Sequence, residues 1–170
     1  LAAAAVRLAR AAGYRSAGTV EFLVDESGAF HFLEVNTRLQ VEHPVTEAVT
    51  GLDLVRAQIE IAQGAALPPA SAARGHAIEA RLNAEDPYGG FLPQSGRVLM
   101  LDWPQMLGLR IDTGLREGLE VTPHFDPLLA KIIAWGADRE QARRRLIEAL
   151  RGMTLLGVTT NQAFLIQVLD

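Results

Sequence analysis

The sequence has no cysteine and only one lysine, Lys131, among its 170 residues. The lack of cysteine excludes disulfides, thiol catalysis and cysteine-based zinc sites, and it permits a reducing compartment. The formal net charge is −4, and the chain contains no run of basic residues longer than the three arginines at 143–145. Neither nucleic acid nor a membrane surface is therefore expected as a partner.

Long apolar runs and phosphate-binding loops are also absent from the sequence. No apolar stretch approaches the roughly 20 residues that a bilayer-spanning helix needs, and no basic-then-apolar leader is seen. No Gly-x-x-x-x-Gly-Lys loop is present, which excludes nucleotide chemistry of the P-loop kind. We expect a soluble, cytoplasmic protein. Because the chain begins at Leu1 inside an alanine-rich helical pattern, we also expect it to be part of a longer polypeptide.

Two runs rich in β-branched and aromatic residues, Thr19–Val24 and Phe30–Asn36, are separated by polar turn formers and a glycine. This pattern predicts a β-hairpin. With a four-residue loop at residues 26–29, the predicted register is Val24/His31, Leu23/Phe32 and Glu21/Glu34.

That register has a chemical consequence at Glu21 and Glu34. Two like charges directly opposite on a sheet destabilise the hairpin unless a positive group lies between them. Asn36 follows Glu34 at a spacing of two, so it shares the face and adds a third oxygen. An all-oxygen set without cysteine suits Mg²⁺ or Mn²⁺, and Mg²⁺ commonly keeps phosphate ligands, which indicates a nucleotide. The alternative is a solvated hairpin face that carries ordinary surface carboxylates.

Three more polar residues continue at the same spacing of two: Arg38, Gln40 and Glu42. If the chain stays extended, they prolong the face that carries Glu34 and Asn36. Solvent exposure alone also explains such a row of polar side chains.

The segment FLEVNTRLQVEHPVTE resembles, nearly residue for residue, the metal and bicarbonate segment of biotin carboxylases, which belong to the ATP-grasp superfamily. A contiguous match of this length is far more specific than a short glycine motif. Three later segments, GHAIEARLNAEDP, FLPQSG and TPHFDPLLAKIIAWG, resemble the C-terminal domain of the same family. The resemblance therefore covers nearly the whole chain.

The resemblance implies roles for particular residues. The metal-side positions are Glu21, Glu34 and Asn36, and the bicarbonate positions are Arg38, Gln40, Val41 and Glu42. Glu42 is the implied general base, and Arg38 serves bicarbonate first and the biotin oxyanion later. Arg81 matches the arginine beside the biotin ureido group, where a guanidinium opposes a developing enolate-like oxygen. Considered without the resemblance, Arg81 is better interpreted as a strand-edge ion-pair partner.

The resemblance also implies an activity for a parent enzyme. Such an enzyme uses ATP, bicarbonate and Mg²⁺ or Mn²⁺ to carboxylate biotin on a biotin carboxyl carrier domain, and a carboxyltransferase subunit then serves an acyl-CoA or pyruvate. A homodimer is expected. The family's phosphate-holding lysines and glycine-rich lid lie upstream of this segment, so the chain alone is expected to be inactive towards ATP. Two alternatives stay open: a non-catalytic dimerisation or interaction module, and another ATP-grasp ligase such as carbamoyl-phosphate synthetase.

The predicted fold class is α+β. Residues 1–64 are expected to form the C-terminal part of an ATP-grasp domain, an antiparallel hairpin plus helices. Residues 65–75, with paired prolines and small residues, are the predicted linker. Residues 76–170 are the predicted biotin carboxylase C-terminal domain, a mixed α+β unit of short strands.

Helix signals punctuate both predicted domains. A helix over residues 2–12 ends at Gly13, and a second runs from Pro44 to about Thr50 and ends at Gly51. Asp53 caps a third helix, whose predicted core-facing stripe is Leu54, Val55, Ile59 and Ala62. Asp138 and Gln141 form a capping box for a fourth, whose predicted buried side is Ala142, Leu146, Leu150 and Met153. The arginines of the fourth helix are expected to be solvated, and Thr160 or Asn161 is expected to cap a last helix.

Two histidine-containing stretches are assigned structural roles. Asp126, beside His124, is expected to cap backbone amides in a turn rather than to act in catalysis. His43 precedes a proline and is expected to make a structural hydrogen bond rather than to serve as a base or ligand.

Overall fold

The computed structural model describes residues 1–67, 69 and 71–170. Five helices are described: α1 (Ala2–Ala11), α2 (His43–Thr50), α3 (Leu54–Ala62), α4 (Arg139–Gly152) and α5 (Gln162–Leu169). The strands are β1 (Thr19–Val24), β2 (Phe30–Asn36), β3 (His76–Asn83), β4 (Glu85–Asp86), β5 (Leu92–Pro93), β6 (Gly96–Arg97), β7 (Met100–Asp102), β8 (Leu109–Thr113), β9 (Glu120–Val121), β10 (Leu128–Gly136) and β11 (Thr154–Leu156). The α+β class is confirmed. None of these helices is long and apolar enough to cross a bilayer.

The chain divides into two compact units, Leu1–Ala72 and Ala73–Asp170. The first contains α1 to α3 and the β1–β2 hairpin, and the second contains all the remaining elements. The predicted linker, residues 65–75, includes Pro68 and Ala70, which lie outside the described residues.

Helix ends in the first unit follow the local chemistry of the chain. Gly51 ends α2 in the left-handed conformation, with φ of 73°, which an L side chain adopts only with strain. Asp53 precedes α3, and its Oδ1 accepts a hydrogen bond from Arg56 N at 2.8 Å. This bond satisfies one of the backbone amides that the first turn of a helix leaves without a partner.

The hairpin keeps the predicted strands but changes the register near its tip. Glu21 lies opposite Glu34, as predicted, whereas Leu23 pairs with His31 and Val24 with Phe30. The predicted Val24/His31 and Leu23/Phe32 pairs are therefore wrong by one residue. A β-bulge at Leu33 absorbs the difference, because Phe22 next to Glu21 pairs with Phe32.

The hairpin loop is one residue longer than predicted because Asp25 belongs to it. Asp25 Oδ1 accepts hydrogen bonds from the Ser27 hydroxyl and from the Ser27 and Ala29 amides, at 2.6 to 3.0 Å. These bonds, the Ser27 hydroxyl above all, hold the pKa of Asp25 below its usual value. The Asp25 side chain thus supplies the hydrogen-bond acceptor that a neighbouring strand would otherwise offer to the backbone amides of the turn.

The first unit buries little apolar surface of its own. Among its described residues, only Pro44 and Glu47 are buried. The predicted core stripe of α3 is wrong at Val55 and Ile59, whose side chains are 45% and 56% exposed, and at Ala62, which is also exposed. A helix stripe becomes a core only when another layer covers it.

The second unit has a sheet of strand order β3-β10-β8, antiparallel throughout. Alternate residues of β3 and β10 are buried against α4. The buried side of α4 is the predicted one: Ala142, Leu146, Leu150 and Met153. The Asp138 cap is confirmed by the bond that its Oδ1 accepts from Gln141 N at 2.8 Å.

The arginines of α4 are not all solvated, which corrects the prediction for this helix. Arg145 Nη1 donates to Trp135 O at 2.6 Å, and Arg143 Nη1 donates to Leu169 O. Both side chains are partly buried because their long stems cross apolar surface to reach backbone carbonyls.

Gly157 lies in a turn that passes the backbone of β6 closely. It has φ of +99°, and a Cβ at this position would overlap the carbonyl oxygen of Arg97. We expect Gly157→Ala to lower the free energy of unfolding by at least about 2 kcal/mol, through backbone strain and overlap together. Urea denaturation measures the change.

Gly114→Ala is the matched control, since Gly114 has no left-handed φ and no atom within 4 Å of its added Cβ. We expect this variant to change the free energy of unfolding by less than about 1 kcal/mol. Equal effects of the two substitutions would contradict the close approach at Gly157.

Candidate functional site

The β1–β2 hairpin separates an acidic face from an aromatic one. Phe22 contacts Phe30 and Phe32 edge-to-face, with ring centroids 5.4 and 6.5 Å apart. Since Glu21 and Phe22 are successive strand residues, their side chains point to opposite faces. The bulge at Leu33 repeats this separation on β2, because without it Phe32 and Glu34 would share a face.

Asn36 lies between the two carboxylates of the acidic face. Its Nδ2 donates to Glu21 Oε1 at 2.7 Å and to Glu34 Oε1 at 3.3 Å. The amide hydrogens thereby offset the repulsion between carboxylates that face each other across the hairpin. The structure therefore brings together all three residues that the sequence assigns to the metal side.

The donor set fits a hard divalent cation. Two carboxylates and an amide supply only oxygen ligands, the chemistry that Mg²⁺ and Mn²⁺ favour. The described residues hold no cluster of three His, Cys, Asp or Glu side chains with metal-site geometry, so the third protein ligand would be the Asn36 amide. For Asn36 to bind the cation, its terminal amide would have to rotate by half a turn, so that the amide oxygen points towards the carboxylates where the nitrogen now does.

Arg38 extends the polar contacts beyond the end of β2. Its Nη2 donates to Asn36 Oδ1 at 3.4 Å, and its Nη1 donates to Gln40 Oε1 at 3.0 Å and to Leu39 O at 3.3 Å. We call the resulting line of side chains the polar relay; its members are Glu21, Glu34, Asn36, Arg38 and Gln40. The relay joins the predicted metal side to two of the predicted bicarbonate residues.

The chain does not stay extended after β2, so the predicted five-residue polar face is wrong. β2 ends at Asn36, Arg38 lies in a bend, and Val41 and Glu42 form a turn that leads into α2. His43 N donates to Gln40 O at 3.3 Å and closes this turn. Pro44 near the start of α2 favours helix over strand.

Glu42 occupies the N-cap position of α2. Its carbonyl accepts from Val45 N at 3.0 Å, its side chain makes no capping bond, and the residue is exposed. A carboxylate at this position is favoured by the positive end of the helix dipole. Gln40 is half-buried and lies two residues before it.

The structural role predicted for His43 is confirmed. Its Nδ1 lies 2.8 Å from Gln40 O, and its Nε2 lies 4.0 Å from Glu47 Oε2. His43 therefore holds the carbonyl of a predicted bicarbonate residue from the first turn of α2.

Glu47 is a residue that the sequence interpretation missed. It is buried, and its Oε1 accepts from Leu54 N at 2.7 Å, which ties α2 to the start of α3. The spacing of four residues between His43 and Glu47 on a helix was the available signal.

Arg81 lies in the second unit, on the exposed face of β3. It pairs with Lys131 of β10, which pairs in turn with Asp112 of β8. Lys131 Nζ lies 3.2 Å from Asp112 Oδ2, and Arg110 Nε lies 2.7 Å from Asp112 Oδ1. Burial would raise the pKa of Asp112, but the hydrogen bonds from Arg110 and Lys131 outweigh it and lower that pKa. The sequence interpretation assigned no part in this cluster to Lys131 or Asp112.

The turn role of Asp126 is confirmed. Its Oδ1 accepts from Leu128 N at 2.8 Å, at the start of β10. Ala84 N donates to Pro127 O at 2.8 Å, which connects this turn to the residue that follows β3.

The Glu47 contact predicts a local change on mutation. Glu47→Ala leaves the partly buried Leu54 amide without the carboxylate acceptor, and we expect a loss of about 1 to 3 kcal/mol in the free energy of unfolding. Hydrogen exchange at the Leu54 amide should accelerate with it. Glu47→Gln keeps an acceptor oxygen and should preserve slow exchange. Unchanged exchange in Glu47→Ala would contradict the assignment.

The chain was compared with known proteins. Residues 79–170 match the biotin carboxylase C-terminal domain, and residues 1–70 match the ATP-binding domain of the carbamoyl-phosphate synthase L chain. The chain is 46% identical to methylcrotonoyl-CoA carboxylase subunit alpha, mitochondrial, of Rattus norvegicus, over 99% of this chain and 24% of that protein. It is 49% identical to the propionyl-CoA carboxylase alpha chain, mitochondrial, of Homo sapiens, over 97% of this chain and 23% of that protein.

A solved structure is also similar to this chain. The biotin carboxylase domain dimer of Hydrogenobacter thermophilus 2-oxoglutarate carboxylase, in complex with MgADP, ADP and bicarbonate, superposes with a TM-score of 0.93. It is 43% identical, over 97% of this chain and 37% of that one. The chain spans about a quarter of the length of the two curated relatives. With the C-terminal domain model matching more than half of its length, the chain belongs to the biotin carboxylase family.

Proposed function

We propose that this chain is part of a biotin carboxylase that uses ATP and bicarbonate to carboxylate biotin on a carrier domain. The observation that carries the proposal is the polar relay, which runs without a gap from Glu21 to Gln40. A surface hairpin has no need for two facing carboxylates, a bridging amide and an arginine in one line. A metal nucleotide and a small anion bound side by side do need them.

Glu21, Glu34 and Asn36 would hold the cation, Mg²⁺ or Mn²⁺. When bound, such a cation neutralises nucleotide phosphates and the charge that develops on them during transfer. The Asn36 amide connects the two carboxylates, and a half-turn of this amide would present its oxygen to the cation. The solved relative that contains MgADP supports this assignment.

Arg38, Gln40, Val41 and Glu42 would form the bicarbonate pocket. Arg38 supplies a guanidinium for the anion, and its bond to Gln40 Oε1 fixes the two side chains together. Glu42 would take the bicarbonate proton, since its exposed carboxylate lies in the turn between Gln40 and α2. The bicarbonate bound in the solved relative supports an anion in this family's site.

Arg38 would serve the biotin oxyanion after it has served bicarbonate, and Arg81 would act near the biotin ureido group. Arg81 lies beside Lys131 on the sheet of the second unit, in a positive environment that Asp112 partly balances. A guanidinium in such a setting stabilises an enolate-like ureido oxygen while the adjacent nitrogen attacks.

For the partners and the oligomeric state of the parent enzyme, we propose less detail. The relatives named for methylcrotonoyl-CoA and propionyl-CoA favour a carboxyltransferase partner that serves an acyl-CoA, with pyruvate as the alternative acceptor. A homodimer is proposed by analogy with the solved domain dimer. Two relatives are mitochondrial by name, so the cytoplasmic location stays a prediction from the sequence. The carbamoyl-phosphate synthase match covers the first 70 residues only, and the second unit favours biotin as the acceptor.

The base assignment is tested in the complete enzyme that contains this chain. Glu42→Gln retains shape and hydrogen bonding but accepts no proton, so bicarbonate-dependent ATP cleavage should fall by about 10²- to 10⁴-fold. MgATP binding, measured by calorimetry, should stay unchanged. Glu26→Gln, in the exposed hairpin loop, is the matched control and should keep full activity. Near-normal turnover of Glu42→Gln would overturn the assignment.

The role of Arg81 calls for a different measurement. Arg81→Ala should lower the rate constant of biotin carboxylation, because a donor to the developing oxyanion is lost. The expected rise in the activation free energy is about 2 to 4 kcal/mol. ATP and metal affinity should stay within a factor of about two, since the interaction belongs to the transition state. Arg144→Ala, an exposed arginine of α4, is the control. Equal losses in ATP affinity would place Arg81 elsewhere.

A further inference from the structure

Asn161 is a buried polar residue in the turn that precedes α5. Only 6% of its surface is exposed, and the residue makes three hydrogen bonds to β3. Its Oδ1 accepts from Asn83 N at 2.9 Å, its Nδ2 donates to Arg81 O at 3.2 Å, and its backbone N donates to Asn83 O at 3.2 Å. The three bonds reach the backbone of Arg81 and of Asn83, at the C-terminal end of β3.

The bonds take the place of a missing neighbouring strand. β3 is the outer strand of the β3-β10-β8 sheet, so one of its edges has no strand partner there. Along that edge, Arg81 and Asn83 direct backbone groups away from β10. Asn161 pairs with them through a side-chain amide, which offers a donor and an acceptor at the spacing of a peptide group. The open edge of β3 is thereby fixed over residues 81–83, and the part of the edge that stays open is short.

Asn161 gives up a common role to do this. It is the residue that precedes α5, where an asparagine side chain usually accepts from an amide of the first turn, yet it makes no capping bond. The side chain turns instead to a strand that lies some 80 residues earlier in the chain. A residue needed only to begin the helix would face the helix.

We infer that Asn161 is a positioning residue for Arg81. By holding the Arg81 carbonyl and the Asn83 amide, it sets the path of β3 and hence the direction in which the Arg81 side chain leaves the sheet. The inference rests on the proposed function, in which Arg81 acts on biotin, and a small displacement of such a group has a large effect on rate. It assigns to Asn161 no contact with substrate.

The next residue in the chain provides a matched control. Gln162 Nε2 donates to Leu150 O at 2.6 Å and to Met153 O at 3.3 Å, which anchors the same turn to the end of α4. Gln162→Ala therefore loosens the same turn through a comparable number of bonds, but it leaves the contacts with β3 intact.

The experiment uses the complete enzyme that contains this chain, with free biotin as the probe. The measured quantity is the ratio of biotin-dependent to biotin-independent ATP cleavage, both with bicarbonate present. Asn161→Asp keeps the shape and the acceptor for Asn83 N but removes the donor to Arg81 O. We expect it to lower the ratio by between about 10-fold and 100-fold, as a misplaced catalytic group does. Gln162→Ala should lower thermal stability and leave the ratio unchanged.

The double variant separates positioning from general loosening. If Asn161 acts through Arg81, then Asn161→Asp added to Arg81→Ala should lower the ratio no further than Arg81→Ala does alone. Additive losses would overturn the inference, as would an unchanged ratio in Asn161→Asp or an equal loss in Gln162→Ala. If Arg81→Ala itself leaves the ratio unchanged, the proposed role of Arg81 fails, and the inference fails with it. Should Asn161→Asp not fold, Asn161→Ser, which also lacks the amide donor, serves in its place.

Discussion

The placement of two carboxylates directly across a two-stranded hairpin is the constraint on which the first unit depends. Glu21 and Glu34 repel each other, and the described residues of this unit form no buried apolar layer that offsets the repulsion. Donors from the following residues compensate instead, first the Asn36 amide and then the Arg38 guanidinium. The turn after β2 brings the neutral Gln40 side chain back to the same guanidinium. Hydrogen bonds among these side chains thus connect the acidic face of the hairpin to the turn before α2.

The bulge at Leu33 shows where sequence patterns stop being sufficient. Phe30, Phe32, Glu34 and Asn36 alternate perfectly, so a period of two assigns them all to one face. The structure divides them into an aromatic face and an acidic face by inserting one residue in the ladder. The Glu21/Glu34 pairing was predictable, but the pairs nearer the tip were not. A bulge is selected by the packing of both faces at once, and a strand pattern does not encode that packing.

Predictions from local sequence agree well with the structure. Predictions that depend on a second element packing against the first agree only in part. The Asp53 and Asp138 caps and the left-handed Gly51 could be predicted, because each involves atoms within a few residues. The buried side of α4 was also predictable, since a sheet of the same unit covers it. The stripe of α3 failed at Val55, Ile59 and Ala62 for the opposite reason: no described residue of the same unit buries these side chains. The site residues of the hairpin are gathered by local chain geometry, but the contacts of Lys131 and Asp112 with their neighbours arise from long-range strand pairing.

Two asparagines solve related problems in the two units. Asn36 lies between like charges, and Asn161 lies against an open strand edge, and in both cases one side chain has to donate and accept in fixed directions. A carboxylate only accepts, and a lysine only donates, so neither serves at these positions. An amide also adds no charge, which matters beside Glu21 and Glu34. Because the amide is short, it holds backbone and side-chain groups with few rotatable bonds, and this restricts the proposed catalytic groups at little entropic cost. In both units, a neutral amide side chain thus makes the hydrogen bonds that hold residues we propose to be functional.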